Sequence, residues 1–267
     1  MSSLPFAKKS LGQHWLSDID SLQAICDSAD LSPNDTVLEI GPGMGHLTKL
    51  LVRKVAQVIA VELDKELVDA LPTQVPAANL QIVNQDILSF DLTTLPSNYK
   101  IVANIPYYLT SHLIRVMSES ANPPCLAVLL IQKEVAQRIC AEPGDMSLLS
   151  ITAQFYWETS LGRTISSKLF TPPPKVDSQI LILKSLRSNP FPDVDAKTYF
   201  RIVKAGFSGR RKTLLNSLSA GLRLPKAEVS NQLKLSKIDS GTRAQNLSLE
   251  DWYWVYRVFA GTLPRNT

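Results

Sequence analysis

The sequence contains few cysteines and no long apolar run. Its three cysteines, Cys26, Cys125 and Cys140, lie far apart and form no C-x-x-C pair. An odd number of dispersed cysteines argues against a disulfide framework or a zinc site and is typical of a reducing compartment. No uninterrupted apolar run approaches the roughly 18 residues that suggest a membrane-spanning helix, and no export signal follows Lys8 and Lys9. We therefore expect a cytoplasmic protein without a membrane segment or a bound metal.

Acidic residues are missing from one long stretch near the C-terminus. Residues 196–227 contain eight lysines or arginines and neither Asp nor Glu, although the formal net charge of the whole chain is only +4. A block of one sign is expected where a protein binds a phosphate backbone, whereas a solvated helical face usually carries both signs. We therefore expect a nucleic-acid partner. The residues predicted to contact phosphates are Arg210, Arg211 and Lys212 in this stretch, with Lys8 and Lys9 in the N-terminal arm.

Short apolar runs alternate with helical patterns over most of the chain. Such regular alternation predicts a parallel sheet with right-handed crossovers. Two later apolar runs, at 160–165 and 176–183, predict an antiparallel edge to this sheet. A linker-like segment at 187–195 then leads into four helical patterns. We predict an α/β domain with its N-terminal arm over residues 1–187 and a small helical domain over residues 188–267. The five strands predicted for the parallel part lie at 36–40, 58–61, 80–83, 100–103 and 126–131.

A glycine-rich turn follows the first of these strands. Gly41, Gly43 and Gly45 lead into a helix that the pattern predicts over 46–54. A strand, a glycine turn and a helix N-terminus form a cofactor cradle, because glycine lets a ligand approach the backbone closely. The third glycine falls one position earlier than in the dinucleotide fingerprint, and the acid Glu39 stands two residues before the turn. This spacing favours S-adenosylmethionine as the cofactor, with Gly41 and Gly43 in contact with it.

Acidic residues end the next two strands. Glu62 stands about twenty residues past the glycines, where a carboxylate is expected to bind a ribose diol. Asp86 follows the third strand and can accept a hydrogen bond from an adenine amine. The alternative for Asp86 is an N-cap of a local turn, a role that Asp often has.

The fourth strand ends in the segment Asn104, Ile105, Pro106, Tyr107 and Tyr108. It offers an amide, backbone carbonyls that are free because Pro106 cannot donate, and flat apolar faces. These groups suit a planar heterocycle that carries an amine. The alternative is a strand end punctuated by proline, with tyrosines that cover a core edge.

A proline run, Pro172–Pro174, stiffens the loop that begins at Phe170. Phe170 could stack on a base extruded from a nucleic acid. It could equally plug an edge of the core.

Seven motifs in one order resemble the small-subunit ribosomal RNA adenine dimethyltransferase family over nearly the whole chain. They are Leu11–Leu16, Glu39–Gly45, Glu62–Asp64, Gln85–Asp86, Asn104–Tyr107, Phe170–Ser178 and Gly206–Leu214. The resemblance implies a Rossmann-like class I methyltransferase fold with a small C-terminal α-helical domain. The implied activity is S-adenosylmethionine-dependent dimethylation of the N6 of two adjacent adenosines in the 3'-terminal hairpin of 16S rRNA. The implied partner is the small ribosomal subunit, and nothing in the sequence demands more than a monomer.

The resemblance also implies roles for individual residues. His14 and Leu16 would close over the cofactor, with Gly41 beneath it, Glu62 on its ribose and Asp86 on its adenine. Asn104 would join cofactor and target adenine, with Ile105, Pro106, Tyr107 and Phe170 forming the rest of the catalytic group. This sequence departs from many family members at two positions, because His14 stands in place of Asn and Trp15 in place of Phe.

Three other functions share parts of this pattern. A large-subunit rRNA adenine methyltransferase of the macrolide-resistance type has the same core, but the motifs at Phe170–Ser178 and Gly206–Leu214 favour the small subunit. A ribosome-assembly or transcription factor could use the fold without catalysis. A DNA adenine methyltransferase is disfavoured, because its catalytic strand more commonly has proline where Ile105 stands.

Overall fold

The computed structural model describes residues 8, 11–186 and 191–262. The strands are β1 (Trp15–Leu16), β2 (Thr36–Ile40), β3 (Gln57–Glu62), β4 (Leu80–Asn84), β5 (Lys100–Asn104), β6 (Leu126–Gln132), β7 (Trp157–Ile165), β8 (Phe170–Thr171) and β9 (Ser178–Ser185). The helices are α1 (Ile19–Ser28), α2 (Thr48–Leu51), α3 (Lys65–Gln74), α4 (Thr110–Glu119), α5 (Lys133–Ile139), α6 (Leu148–Tyr156), α7 (Ala196–Gly206), α8 (Leu214–Leu222), α9 (Lys226–Leu235) and α10 (Leu249–Phe259). No helix among the described residues is long and apolar enough to cross a membrane.

Seven strands form one sheet in the order β4-β3-β2-β5-β6-β9-β7. The five strands from β4 to β6 are parallel, and β9 pairs antiparallel with both β6 and β7. The predicted parallel sheet with an antiparallel edge is therefore confirmed. Because β3 and β5 lie on opposite sides of β2, the strand order reverses there, and ligands of such sheets bind at the carboxyl ends beside this point.

The sequence patterns of the strands match their positions in the sheet. In β5 and β6 the interior residues are all buried, as expected for parallel strands that are covered on both faces. The edge strand β7 is mostly exposed between its buried ends, Trp157 and Ile165. The central strands therefore form a rigid base for the residues at their carboxyl ends.

The helix after the glycine turn is shorter than predicted. The pattern predicted 46–54, but α2 covers only Thr48–Leu51. Past its last residue, Lys54 N donates to Leu51 O, a bond over three residues. Three-residue bonds of this kind tighten the chain into turns, so the α-helix cannot extend over the whole segment.

The N-terminal arm is tied to the proline-rich loop by a two-stranded sheet. Strand β1 pairs antiparallel with β8, with Trp15 opposite Thr171 and Leu16 opposite Phe170. Sequence periodicity did not predict this pair, because each strand has only two residues. The pairing brings the first and sixth of the sequence motifs together.

The chain forms two compact units. The first contains residues up to Gln137 together with Trp157–Ser185, and the second contains Arg138–Tyr156 together with the chain from Leu186 onward. The sequence placed the division at residue 187, and the structure adds 138–156 to the second unit. The reason is that side chains of α6, such as Phe155, are buried in the core of the helical unit, where Phe155 packs against Tyr199.

The helical unit has a dense aromatic core. Gly206 ends α7 against Trp252 of α10, where an added Cβ would come within 2.3 Å of the indole ring. Helix α10 begins with a capping box, in which Ser248 Oγ accepts from Asp251 N and Asp251 Oδ2 accepts from Ser248 N. These two bonds fix the start of α10 directly after Ser248.

Candidate active site

A cleft opens in the first unit at the carboxyl ends of β2, β3 and β5 and is covered by the N-terminal arm. The structure brings together there every cofactor and catalytic residue that the sequence predicted. Its lining includes His14, Leu16, Gly41, Gly43, Glu62, Asp86, Asn104, Ile105, Pro106, Tyr107 and Phe170.

The glycine turn forms the floor of this cleft. Gly41 and Gly43 have φ of +65° and +56°, a region that side chains with a Cβ rarely adopt. A Cβ on Gly41 would meet no other atom within 4 Å, so the space above this residue is open. The turn therefore has both the backbone conformation and the room that a cofactor cradle needs.

Glu62 at the end of β3 is 7% exposed and is held by two backbone donors. Its Oε2 accepts from Gly43 N at 3.2 Å, and its Oε1 accepts from Asp64 N at 2.9 Å. Burial raises the pKa of Glu62, and the two backbone hydrogen bonds oppose that shift. A carboxylate has about four acceptor positions, so Glu62 can also receive the two hydroxyls of a ribose.

Asp86 lies at the mouth of the cleft and is exposed. It is the N-cap of a 3₁₀ turn over Ile87–Ser89, and its Oδ1 accepts from Leu88 N at 2.9 Å. The capping role that the sequence left as the alternative is therefore present. It leaves the second carboxylate oxygen of Asp86 for an adenine amine.

Asn104 ends β5 next to the arm. Its Nδ2 donates to the carbonyl oxygen of His14 at 3.3 Å. This bond orients the amide, so that within the described structure Oδ1 is the atom left to accept a hydrogen bond. Ile105 beside it is buried, and Pro106 caps a 3₁₀ turn over Tyr107–Leu109.

Tyr107 is fixed from two sides. Its hydroxyl oxygen lies 3.0 Å from Ser178 Oγ. The centroid of its ring lies 6.2 Å from the centroid of the His14 ring, and the two ring planes form an angle of 20°. Burial raises the pKa of Tyr107, so the phenol is neutral near pH 7. The His14 ring is fixed in turn, because its Nδ1 lies 2.7 Å from the carbonyl oxygen of Pro172.

Phe170 borders the cleft, but its side chain is only 3% exposed. It belongs to a buried apolar cluster with Leu16, Leu22 and Ile165. The structure thus gives Phe170 the core-plugging position that the sequence left as the alternative, and a stacking role for it stays a prediction.

The basic residues predicted to contact phosphates are placed differently from one another. Lys8 pairs with Asp64 at 2.8 Å and with Glu66 at 3.1 Å, so this lysine is neutralised within the first unit instead of standing free for a phosphate. Lys9 lies outside the described residues. Arg210, Arg211 and Lys212 are exposed in the turn between α7 and α8 of the second unit.

Sequence reasoning missed the role of Asp64 and the burial of Glu39. Asp64 is buried and accepts from Lys8 Nζ and Gln13 Nε2, which ties the arm to the end of β3. Burial acts to raise the pKa of Asp64, but the hydrogen bonds from Lys8 and Gln13 hold it below its ordinary value. Complete burial raises the pKa of Glu39 to about 8, and the nearby charge of Glu62 adds to this. Asp64 belongs to the motif Glu62–Asp64 and Glu39 to the motif Glu39–Gly45. Their places in these motifs were the sequence feature from which their importance could have been predicted.

Comparison with known proteins gives a consistent result. The family described as "Ribosomal RNA adenine dimethylase" matches residues 6–261. A protein of Dehalococcoides mccartyi named "Ribosomal RNA small subunit methyltransferase A" is 40% identical over 96% of this chain and 89% of its own length. A protein of the same name from Mycoplasmopsis pulmonis is 40% identical over 94% of this chain and 98% of its own length.

Two solved structures resemble nearly the whole chain. A dimethyladenosine transferase from Plasmodium falciparum superposes with a TM-score of 0.79 at 26% identity and covers 93% of this chain and 98% of its own. The 23S rRNA methyltransferase ErmE superposes with a TM-score of 0.72 at 26% identity and covers 92% of this chain and 99% of its own.

Proposed function

The chain belongs to the ribosomal RNA adenine dimethylase family, and we propose that its cleft transfers methyl groups from S-adenosylmethionine to the N6 of adenines in small-subunit rRNA. The protein is a methyltransferase with an α/β Rossmann-like fold. The specific target that we propose within this RNA is the pair of adjacent adenosines in the 3'-terminal hairpin of 16S rRNA, each of which receives two methyl groups.

The residues of the cleft fit the proposed cofactor. Gly41 leaves open space above a backbone with positive φ, and Glu62 presents a carboxylate that two backbone N–H groups hold in place. Glu62 would bind the ribose, Asp86 the adenine amine, and the arm residues His14 and Leu16 would cover the reactive end beside Asn104. The bound cofactor would supply an electrophilic methyl group on a sulfonium sulfur.

The chemical task for the protein is to activate a poor nucleophile. The lone pair of an adenine amine is delocalised into the ring. If Asn104 Oδ1 and the Ile105 carbonyl accept the two N–H hydrogens, the nitrogen is favoured in a pyramidal form with its lone pair directed at the methyl group. Tyr107 would stack on the adenine ring and fix the direction of approach. Orientation and preorganised hydrogen bonds then supply the catalysis, with no covalent enzyme intermediate. The N6–methyl bond would form as the methyl–sulfur bond breaks, and one N–H proton would then pass to solvent.

The observation that carries this proposal is the bond from Asn104 Nδ2 to His14 O inside the glycine-floored cleft. Because Nδ2 of Asn104 is already bonded to His14 O, Oδ1 is the end of the amide that can accept a hydrogen bond from the adenine amine. An acceptor held in this way needs no reorganisation when the adenine amine arrives.

The helical unit would position the ribosomal substrate through its basic stretch at 196–227, with Arg210, Arg211 and Lys212 on phosphates. Lys9 remains proposed as a secondary contact in the arm, whereas Lys8, which pairs with Asp64 and Glu66, is proposed to hold the arm in place. We further propose that the protein acts as a monomer in the cytoplasm, where small subunits are assembled.

The deciding experiment measures methyl incorporation from labelled S-adenosylmethionine into small ribosomal subunits that lack the modification. Large subunits and DNA are assayed in parallel, and the products are analysed as nucleosides. Dimethyladenosine that appears only in small-subunit RNA is the expected result. Incorporation into the large subunit would show that the substrate is large-subunit rRNA. Binding of the cofactor without incorporation into any RNA or DNA would favour a ribosome-assembly factor without catalysis.

A further inference from the structure

The indole nitrogen of Trp15 is a buried donor without a partner. Trp15 lines the cleft from the arm, and its Nε1 is shielded from solvent with no hydrogen-bond acceptor in reach. Its ring packs on the glycine turn, where a Cβ added to Gly43 would lie 3.5 Å from Nε1. Buried donors in native proteins are nearly always paired, so an unpaired one at the edge of a ligand site calls for an explanation.

The charges of the cleft are one-sided. The described residues that line it include the carboxylates of Glu62 and Asp86 and no lysine or arginine. A cofactor with a carboxylate of its own would therefore find no lysine or arginine in this lining. Its carboxylate has to be received by other hydrogen-bond donors or remain in solvent.

Most of the neutral donors near the glycine turn are already engaged. Gln13 Nε2 donates to Asp64, the His46 ring nitrogen Nδ1 contacts Leu16 O, and Gly43 N donates to Glu62. Asn104 Nδ2 likewise donates to His14 O. Among the described side chains of the arm and the glycine turn, Trp15 Nε1 is the buried donor that has no acceptor.

The connectivity of the cofactor brings its carboxylate to this place. With the adenine at Asp86, the ribose at Glu62 and the sulfonium beside Asn104, the amino-acid end continues past the sulfur toward the arm and the glycine turn. We propose that the Trp15 indole N–H donates a hydrogen bond to the carboxylate of the bound S-adenosylmethionine. This inference rests on the proposed function, because it takes the cofactor and its orientation from there.

Calorimetric titration separates this contact from simple packing. The ligands are S-adenosylhomocysteine and S-adenosyl-3-thiopropylamine, which keeps the amine and lacks only the carboxylate. For Trp15→Phe the affinity for S-adenosylhomocysteine should fall by roughly tenfold or more, the value of a hydrogen bond to a charged group. The affinity for the decarboxylated analogue should stay unchanged. Trp254→Phe, a change at an exposed indole of the helical unit, should alter neither affinity.

A second measurement uses the unmodified protein, so it does not depend on how well the variant packs. The Trp15 indole ¹H–¹⁵N resonance, assigned by its absence in Trp15→Phe, should move downfield with S-adenosylhomocysteine and not with the analogue. An equal loss of both affinities in the variant, or equal shifts with both ligands, would overturn the inference while leaving the proposed function intact. If the unmodified protein binds neither ligand, the proposed function itself is wrong.

Discussion

The side-chain nitrogen of Asn104 lies 3.3 Å from the carbonyl oxygen of His14, a residue 90 positions earlier in the chain. This bond links the end of β5 to the N-terminal arm, so the acceptor proposed for the adenine amine is oriented by a segment outside the large sheet. The arm is held by further contacts, since the His14 ring meets Pro172 O and Gln13 donates to Asp64. Catalysis in this cleft should therefore depend on the arm as well as on the sheet.

Replacing Asn104 by alanine should abolish most of the methyl transfer and leave cofactor binding largely intact. The variant loses the preorganised acceptor, a type of change that costs about 10²–10³ in rate. The measurements are methyl incorporation into small subunits and calorimetric binding of S-adenosylhomocysteine. Asn231→Ala, at an exposed position of α9, serves as the control. Full activity in Asn104→Ala would refute the mechanism.

The double variant Arg210→Ala and Arg211→Ala should weaken RNA binding and flatten its salt dependence. Each phosphate contact adds about one unit to the slope of log K against log salt, so the slope should fall by up to about two. The matched control removes two exposed lysines of the same unit, Lys234 and Lys237. Equal slopes in the unmodified protein and the arginine variant would place the RNA contact elsewhere.

Phe170→Ala should destabilise the protein by about 3–5 kcal/mol, because the ring is buried in the core of the first unit. Tyr108→Ala removes a ring that is 60% exposed and should change the free energy of unfolding by no more than about 0.5 kcal/mol. Denaturant unfolding of both variants makes the comparison. A Phe170→Ala protein with unchanged stability and lost activity would instead support the stacking role.

Lys8→Ala should reduce the affinity for S-adenosylhomocysteine and leave the salt slope of RNA binding unchanged. Lys8 pairs with Asp64, and Asp64 N donates to the carboxylate of Glu62, so its loss loosens the arm beside the proposed ribose site. Calorimetry and salt-dependent RNA binding measure the two effects. A reduced salt slope with unchanged cofactor affinity would restore Lys8 as a phosphate contact.

Glu39 should make the protein less stable as the pH rises. Its pKa is raised to about 8 by burial, above the 4.5 of an exposed Glu, so the folded state keeps a proton that the unfolded chain releases. The free energy of unfolding of the unmodified protein should therefore fall between about pH 5 and pH 8 more steeply than that of Glu39→Gln. Glu250→Gln, at an exposed position of α10, serves as the control variant. Parallel profiles for Glu39→Gln and the unmodified protein would mean that Glu39 is ionised in the fold.

The sequence alone determined the features that depend on neighbouring residues. Apolar runs between turns located the five parallel strands, and the positive φ required after β2 explains why glycine stands at 41 and 43. Because parallel strands end at one edge of a sheet, the order of strands and motifs along the chain was enough to expect Glu62 and Asn104 in one site. The proposed adenine and cofactor residues along this edge all line the cleft.

Only the tertiary structure decided the features that depend on contacts between distant residues. The two-residue strands β1 and β8 pair across more than 150 positions, and no local periodicity could reveal that this pairing buries Phe170. The pairing of Lys8 with Asp64, and the packing of Phe155 from 138–156 into the helical unit, likewise depend on where the folded chain brings these segments. The unpaired Trp15 indole N–H could likewise be found only in the folded structure, because the groups packed around a donor decide whether it has an acceptor.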